Sequence, residues 1–313
     1  MPYTIKMKAI PPIIYIIICA TLSSCFTGVD STPRISSADV DAAGISDSRE
    51  MALMQAVHDT PPAQWAPGKE WLVDDDKIAL IFAQPAVGAD SLAGHRIALV
   101  SKRNVTDVTG RQTVELLFRS DRGDSLCYPT GIDAESFEQR RSLEIPFAIN
   151  LDAVHTADSL LRGCRCFITT PLWYEANGRS IHGLRHVPVT IDSVVAGTSN
   201  LPLRVAFSAD EIPGEHFVWL TYGTSRAATR NFDRLFSFSD PRTNYPQISD
   251  HTWQLITRSQ VAVGMTRDEC RLALGAPSSI NRGATRAAQL ERWLYDDGIY
   301  LIFEDGILTR YRK

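Results

Sequence analysis

Residues 264–277 read GMTRDECRLALGAP and residues 291–311 read ERWLYDDGIYLIFEDGILTRY. These two stretches carry the punctuation that decides how the end of the chain folds. Thr266 with Glu269 three residues on is the Ser/Thr-x-x-Glu pattern, in which a side chain and a backbone amide cap one another at a helix start. The helix it opens runs over 267–274 and stops at Gly275, with Pro277 beyond. An earlier helix has Asp250 as its N-cap candidate and carries Trp253 and Ile256, three apart, on one face. After a polar loop at 278–288 come three strand-like pieces, 291–295, 299–303 and 307–311. The turns Asp296-Asp297-Gly298 and Glu304-Asp305-Gly306 join them as hairpins. The expectation for 250–313 is an ααβββ unit.

Moving toward the N-terminus, the texture is β-like. Gly68-Lys69-Glu70-Trp71-Leu72-Val73 reads as a strand before the turn Asp74-Asp75-Asp76, and short apolar runs at 94–100, 112–119 and 125–128 continue the pattern. A second set runs through 164–169, 173–174, 187–195, 203–207 and 217–222. Asp90-Ser91-Leu92-Ala93-Gly94 opens the first set and Asp158-Ser159-Leu160 the second, so we expect two related SH3-like β-barrel modules at 64–145 and 146–249. One larger β-sandwich is the alternative. The Phe- and Arg-rich stretch 231–242 is expected to pack a short helix and loop between domains. The expected class is therefore α+β, two small SH3-like modules followed by an ααβββ domain.

Residues 1–25 read MPYTIKMKAIPPIIYIIICATLSSC. Lys6 and Lys8 precede an apolar run that is short for a membrane span and right for a signal-peptide core. Leu22-Ser23-Ser24-Cys25 resembles a bacterial lipobox, which implies cleavage after residue 24 and acylation of Cys25. Residues 25–63, rich in Ser, Asp and Ala with several prolines, read as a flexible tether. Losing residues 1–24 removes two lysines from 32 basic and none from 36 acidic groups, a mature formal charge of −6. Such a balance favours neither nucleic acid nor a polybasic membrane contact, so the anchor must work through acyl chains. Phe26, in place of the Asp that retains enterobacterial lipoproteins in the inner membrane, favours the outer membrane, and the lack of an acidic cluster directly after Cys25 favours its periplasmic face. Cys127, Cys164, Cys166 and Cys270 can pair in an oxidising compartment or remain partly buried thiols.

The motifs Gly264-Met265-Thr266, Leu274-Gly275-Ala276-Pro277, Trp293-Leu294-Tyr295 and Leu301-Ile302-Phe303-Glu304-Asp305-Gly306 together resemble the SmpA/BamE-like domain. That family includes the small lipoprotein subunit of the outer-membrane β-barrel assembly machinery, and β-lactamase inhibitory protein repeats share its fold. The resemblance covers about the last fifth of the chain and implies a scaffold that binds proteins. Asp90-Ser91-Leu92, Asp158-Ser159-Leu160 and Asp192-Ser193-Val194 are similar to the O-glycosylation signal of Bacteroidetes secreted proteins.

P-loop, GxGxxG, GxSxG and HExxH patterns are missing from the sequence. His182 and His186 are four apart, but Gly183 and Pro188 place them in turn and strand, where that spacing does not bring two imidazoles to one metal. The Asp74-Asp75-Asp76 run lacks the spacing of a calcium loop. We expect no catalytic residue, metal or cofactor. Trp65, Trp71, Trp173, Tyr174 and Trp219 are the candidates for a recognition surface, set against core packing. The function expected is a non-catalytic envelope lipoprotein with a protein partner. A glycan- or peptide-binding module using a groove between the β modules is the alternative, and a hydrolase with a dispersed site the least favoured.

Overall fold

The computed structural model describes residues 56–57, 60–83, 91–106, 109–221, 230–284 and 288–312. The signal peptide, Cys25 and most of the tether expected from sequence lie outside the described residues. Among those described, no helix is long and apolar enough to cross a membrane.

The first sheet takes β1 (Glu70–Val73), β2 (Arg96–Thr106), β3 (Gln112–Ser120), β4 (Ser125–Asp133) and, after the short helix α1 (Ala134–Gln139), β5 (Ala148–Asn150). Its order is β4-β3-β2-β1-β5, antiparallel throughout. Strand β3 alternates cleanly: Val114, Leu116 and Phe118 point inward, as a half-buried strand requires. Trp71 meets Trp65 and Phe118 edge-on at centroid distances of 5.0 and 5.4 Å, a favoured aromatic geometry.

The second sheet follows α2 (Leu151–Leu161), whose Val154, Ala157 and Leu161 form its buried stripe. Next come β6 (Arg165–Ile168), β7 (Leu172–Glu175), β8 (Ser180–His182), β9 (Val187–Ala196), β10 (Leu203–Ala209) and β11 (Ile212–Leu220). The one-turn helix α3 (Phe232–Leu235) and β12 (Phe236–Ser237) complete it. The order is β12-β6-β9-β10-β11-β7-β8, so β6 and β7, neighbours in sequence, are separated by three strands.

The third layer begins with α4 (Asp250–Thr257) and α5 (Arg267–Leu274). Ser249, not Asp250, is the N-cap of α4, its hydroxyl accepting from Thr252 N. The Thr266–Glu269 capping box forms at α5, with Thr266 N donating to Glu269 Oε2 at 2.7 Å. Four antiparallel strands follow in sequential order, β13 (Ser279–Ala284), β14 (Gln289–Leu294), β15 (Tyr300–Glu304) and β16 (Ile307–Arg312). Asp305 (φ 49°) and Gly306 (φ 86°) make the two-residue link between β15 and β16, with the positive φ at both positions that a tight hairpin needs.

This architecture corrects the expected fold class. Among the described residues the protein is mostly β, 42% strand against 22% helix, in three sheets. The C-terminal sheet is an all-β sheet of four strands, where ααβββ foresaw a meander of three. The added strand, Ser279–Ala284, falls in the stretch 278–288 that reads as a polar loop, because only Ile280 in SINRGA is strongly apolar. Its backbone pairing with β14 makes it a strand, and as an edge strand it needs no buried face. Where two SH3-like modules were expected, the described residues form one sheet of five strands and one of seven. Which distant strands pair, as β1 does with β5, is not encoded in local apolar runs.

Two joints hold the layers. Asp74 Oδ2 accepts from Ser199 N at 2.7 Å, tying the β9–β10 turn to the first sheet. Ile149 of β5 packs in the core of the second sheet although its strand belongs to the first. Between the second and third layers, the Leu184–His186 turn is hydrogen-bonded to the ends of α4 and α5.

Candidate functional site

The predicted aromatic residues divide by location. Trp65, Trp71 and Trp173 are core residues, 2, 1 and 0% exposed. Their indole nitrogens need partners only where water is excluded: Trp65 donates to Thr60 O and Trp173 to Thr170 O. They are not available to a partner. Tyr174 and Trp219 instead lie on the face of the second sheet opposite its core, brought together because β7 pairs with β11. With Phe217 they form a cluster at centroid distances of 4.6, 4.8 and 5.4 Å, and the Arg204 guanidinium sits 4.1 Å from the Phe217 ring. Both are half-buried. The cluster is closed by its own members. Cys25 lies outside the described residues.

The larger outward surface is on the C-terminal sheet. Its inner face carries Trp293, Leu301, Phe303 and Leu308, which pack with Trp253, Ile256, Cys270 and Ala273 of α4 and α5. In an antiparallel sheet directly opposed residues share a face, so the register defines the outer one. One row is Asn281, Arg292, Ile302 and Arg310; the next is Ser279, Leu294, Tyr300 and Arg312. Arg292, Arg310 and Arg312 are exposed, Leu294 is 44% exposed, and Tyr300 and Ile302 are half-buried. The bulge between Ile302 and Phe303 leaves Thr309 unopposed and returns Arg310 to this outer face.

The electrostatics of the two faces differ. On the inner rim, Glu291 receives Arg267 Nη1 at 2.6 Å and Trp293 Nε1 at 3.0 Å, with Arg282 at 3.5 Å. Burial pushes the Glu291 carboxyl up, but these donors outweigh it and hold it below the ordinary carboxylate range. No ion pair among the described residues involves Arg292, Arg310 or Arg312. Glu304, opposite Leu290, is the acidic residue on that face. The surface thus offers three guanidinium groups around an aliphatic and aromatic centre. Sequence reasoning did not single out these residues, because the charged pair Glu291-Arg292 and the apolar pair Trp293-Leu294 break the alternation that would separate the two faces.

Two thiols inside the fold are held in their protonated form. The Cys127 thiol donates to Glu115 Oε2 at 3.2 Å, and burial and that carboxylate push it up, away from thiolate character. Burial pushes Cys270 up to about 12. Cys127 and Cys270 are free thiols. His182 ends β8, whereas His186 sits in a turn at φ 55°. No group of three or more His, Cys, Asp or Glu residues suited to a metal occurs among the described residues.

No protein-family model, curated protein or solved structure matches the chain.

Proposed function

We propose that this chain is a non-catalytic cell-envelope lipoprotein whose C-terminal sheet docks an acidic protein surface, as a scaffold or assembly factor at the outer membrane. The observation that carries this reading is the register of Arg292, Arg310 and Arg312 around Leu294, Tyr300 and Ile302 on an outward face. Arginine and tyrosine beside exposed aliphatic carbon are the composition of protein-contact hot spots. Planar guanidinium groups lacking carboxylates of their own are complementary to carboxylates on a partner. The lipobox-like Leu22-Ser23-Ser24-Cys25 supports a lipid anchor.

Cross-linking followed by affinity purification of the full-length protein from the native envelope tests it. The wild type should capture a defined partner that the Arg292→Glu/Arg310→Glu variant loses at equal expression and equal thermal stability. Undiminished capture by that variant removes the sheet face from the interaction. Acyl labelling of Cys25→Ala tests the anchor: labelling should vanish, and its persistence refutes lipidation at that residue.

A further inference from the structure

Among the described residues six strands stand at sheet edges: β4 and β5, β12 and β8, β13 and β16. A sheet edge carries unpaired backbone donors and acceptors, and folded proteins blunt it with short strands, proline, bulges or a covering segment. Five of the six are blunted in these ways. β5 and β8 have three residues each and β12 has two. β4 carries Pro129 and a register shift against β3, and its Cys127 O accepts from Ala83 N at 2.8 Å. β16 is bulged against β15, and the segment 264–266 lies along it. There Gly264 N donates to Leu308 O at 2.8 Å, Leu308 N donates to Met265 O at 2.7 Å, and Thr266 bridges to Ile307.

β13 is the exception. Its six residues pair one for one with β14 without a bulge, and it holds no proline or lysine. Among the described residues no backbone hydrogen bond reaches it from its outer side, and five of its six residues are exposed. Its one charge, Arg282, stands opposite Glu291 on the inner face, with Nε 3.5 Å from that carboxylate, so it is turned back toward β14.

The side chains beside this edge describe what fits it. A strand added to β13 extends the rows of the outer face. The residue opposite Asn281 joins the row of Arg292, Ile302 and Arg310, and the residue opposite Gly283 joins that of Leu290 and Glu304. Adjacent strands lie about 4.8 Å apart, so the added strand runs about 10 Å from β14. An arginine and a glutamate side chain together span that distance. A carboxylate opposite Asn281 therefore meets the exposed Arg292 guanidinium, which has no ion pair among the described residues. Gly283 places no side chain between the edge and half-buried Leu290, so an apolar residue opposite it reaches that leucine. In an extended segment these two residues are two positions apart and share a face.

We propose that the protein partner adds an extended segment antiparallel to β13, with a carboxylate opposite Asn281 and an apolar side chain opposite Gly283. Main-chain bonds along β13 supply affinity and the two side chains supply specificity. This rests on the C-terminal sheet being the docking surface, and it names how the partner is held there.

The test is a fluorescence-anisotropy titration of fluorescein-Thr-Val-Thr-Glu-Thr-Val-amide with the full-length protein in detergent. Its first Val and its Glu are spaced to meet Gly283 and Asn281. Binding should saturate, and amide hydrogen exchange of residues 279–284 should slow. Successive N–H groups of an extended strand point to opposite sides, and a strand added at an edge uses one side only. Two peptides N-methylated on alternate residues, in opposite phase, should therefore differ at least tenfold in affinity. Arg292→Glu, at an exposed position, should weaken the unmethylated peptide at least fivefold. Absence of saturable binding, or equal affinity of the two methylated peptides, overturns strand addition; the docking face would then stand on envelope capture that Arg292→Glu/Arg310→Glu abolishes. Phase-dependent binding that is indifferent to Arg292→Glu overturns the carboxylate contact, and with it the reading of this face as a site for an acidic partner.

Discussion

Arg185 Nη1 donates to Ala273 O at 2.7 Å, joining the second sheet to the C-terminal end of α5 across 88 positions of sequence. The same guanidinium donates through Nε to Thr169 O at 2.9 Å, and Arg185 N donates to Thr257 O at 2.8 Å near the end of α4. A cation at a helix C-terminus meets unsatisfied carbonyls and the negative end of the helix dipole. One residue therefore ties two helices of the third layer to the second.

Arg185→Ala should destabilise the protein by about 2–4 kcal/mol, because it strands half-buried carbonyls as well as deleting charge-assisted bonds. Lysine should restore only part of this, since an ammonium on a flexible stem does not reproduce the fork that spans Thr169 O and Ala273 O. Urea denaturation of the three proteins checks it. Equal stability of Arg185→Ala and the wild type would show that the joint contributes nothing.

His186 makes the same joint sensitive to acid. Its ring stands 5.9 Å from Trp253, and Nε2 is 3.3 Å from Leu272 O. Burial, with the Arg185 charge, lowers it from 6.5 to about 4, against the Leu272 carbonyl. Arg165, Glu211, Asp240, Arg242 and Arg258 line the adjacent groove. A base with a depressed folded-state pKa binds its proton more readily when unfolded. The stability it supports is complete above pH 6.5 and declines by roughly 3 kcal/mol on the way down to about pH 4. His186→Gln should flatten that part of the stability curve relative to the wild type, the carboxylates titrating alike in both. Parallel curves would remove His186 from the pH response.

Gly183 is required by Trp173. A Cβ at this position would lie 2.1, 2.4 and 2.6 Å from three atoms of the indole, a ring wholly inside the core of the second sheet. Gly183→Ala must displace it and should cost about 1–3 kcal/mol or more. Thermal unfolding with tryptophan fluorescence reads both the stability and the ring's altered surroundings; an unshifted transition would contradict the close approach.

Thr266→Ala removes the hydroxyl that accepts from Glu269 N at 3.3 Å and should cost about 1 kcal/mol, while Thr266→Ser should be close to neutral. Denaturant midpoints distinguish the two. If alanine and serine are equivalent, the capping box carries no stability.

Arg292→Glu with Arg310→Glu should change stability by less than about 0.5 kcal/mol, since both side chains are exposed and neither is ion-paired among the described residues. Partner capture by the wild type should weaken as salt rises, because exposed charges a Debye length apart are screened. A large loss of stability, or capture indifferent to salt, would mean these arginines serve the fold and not a partner.

The readable parts of this molecule were local. Thr266 and Glu269 announced a helix start, Gly275 and Pro277 its end, and Asp305-Gly306 a hairpin, because each acts through bonds within a few residues of itself. Strand Ser279–Ala284 was not readable, since its partner supplies the hydrogen bonds and its side chains bury nothing. Tyr174 and Trp219, among the predicted recognition residues, do share a surface, but their meeting depends on β7 lying beside β11. Trp65, Trp71 and Trp173 had the same residue type and the opposite fate.

The sequence by itself determined the capping box at Thr266, the helix stop at Gly275 and the hairpin at Asp305-Gly306, whose bonds are local. The tertiary structure alone decided the strand order of the first two sheets and the outward direction of Arg292, Arg310 and Arg312. Periodicity specifies that one face of an element is to be buried; it does not name the element that buries it. Arg185 and Ala273 are ordinary residues in sequence and become a joint only when 88 positions of chain fold back on themselves.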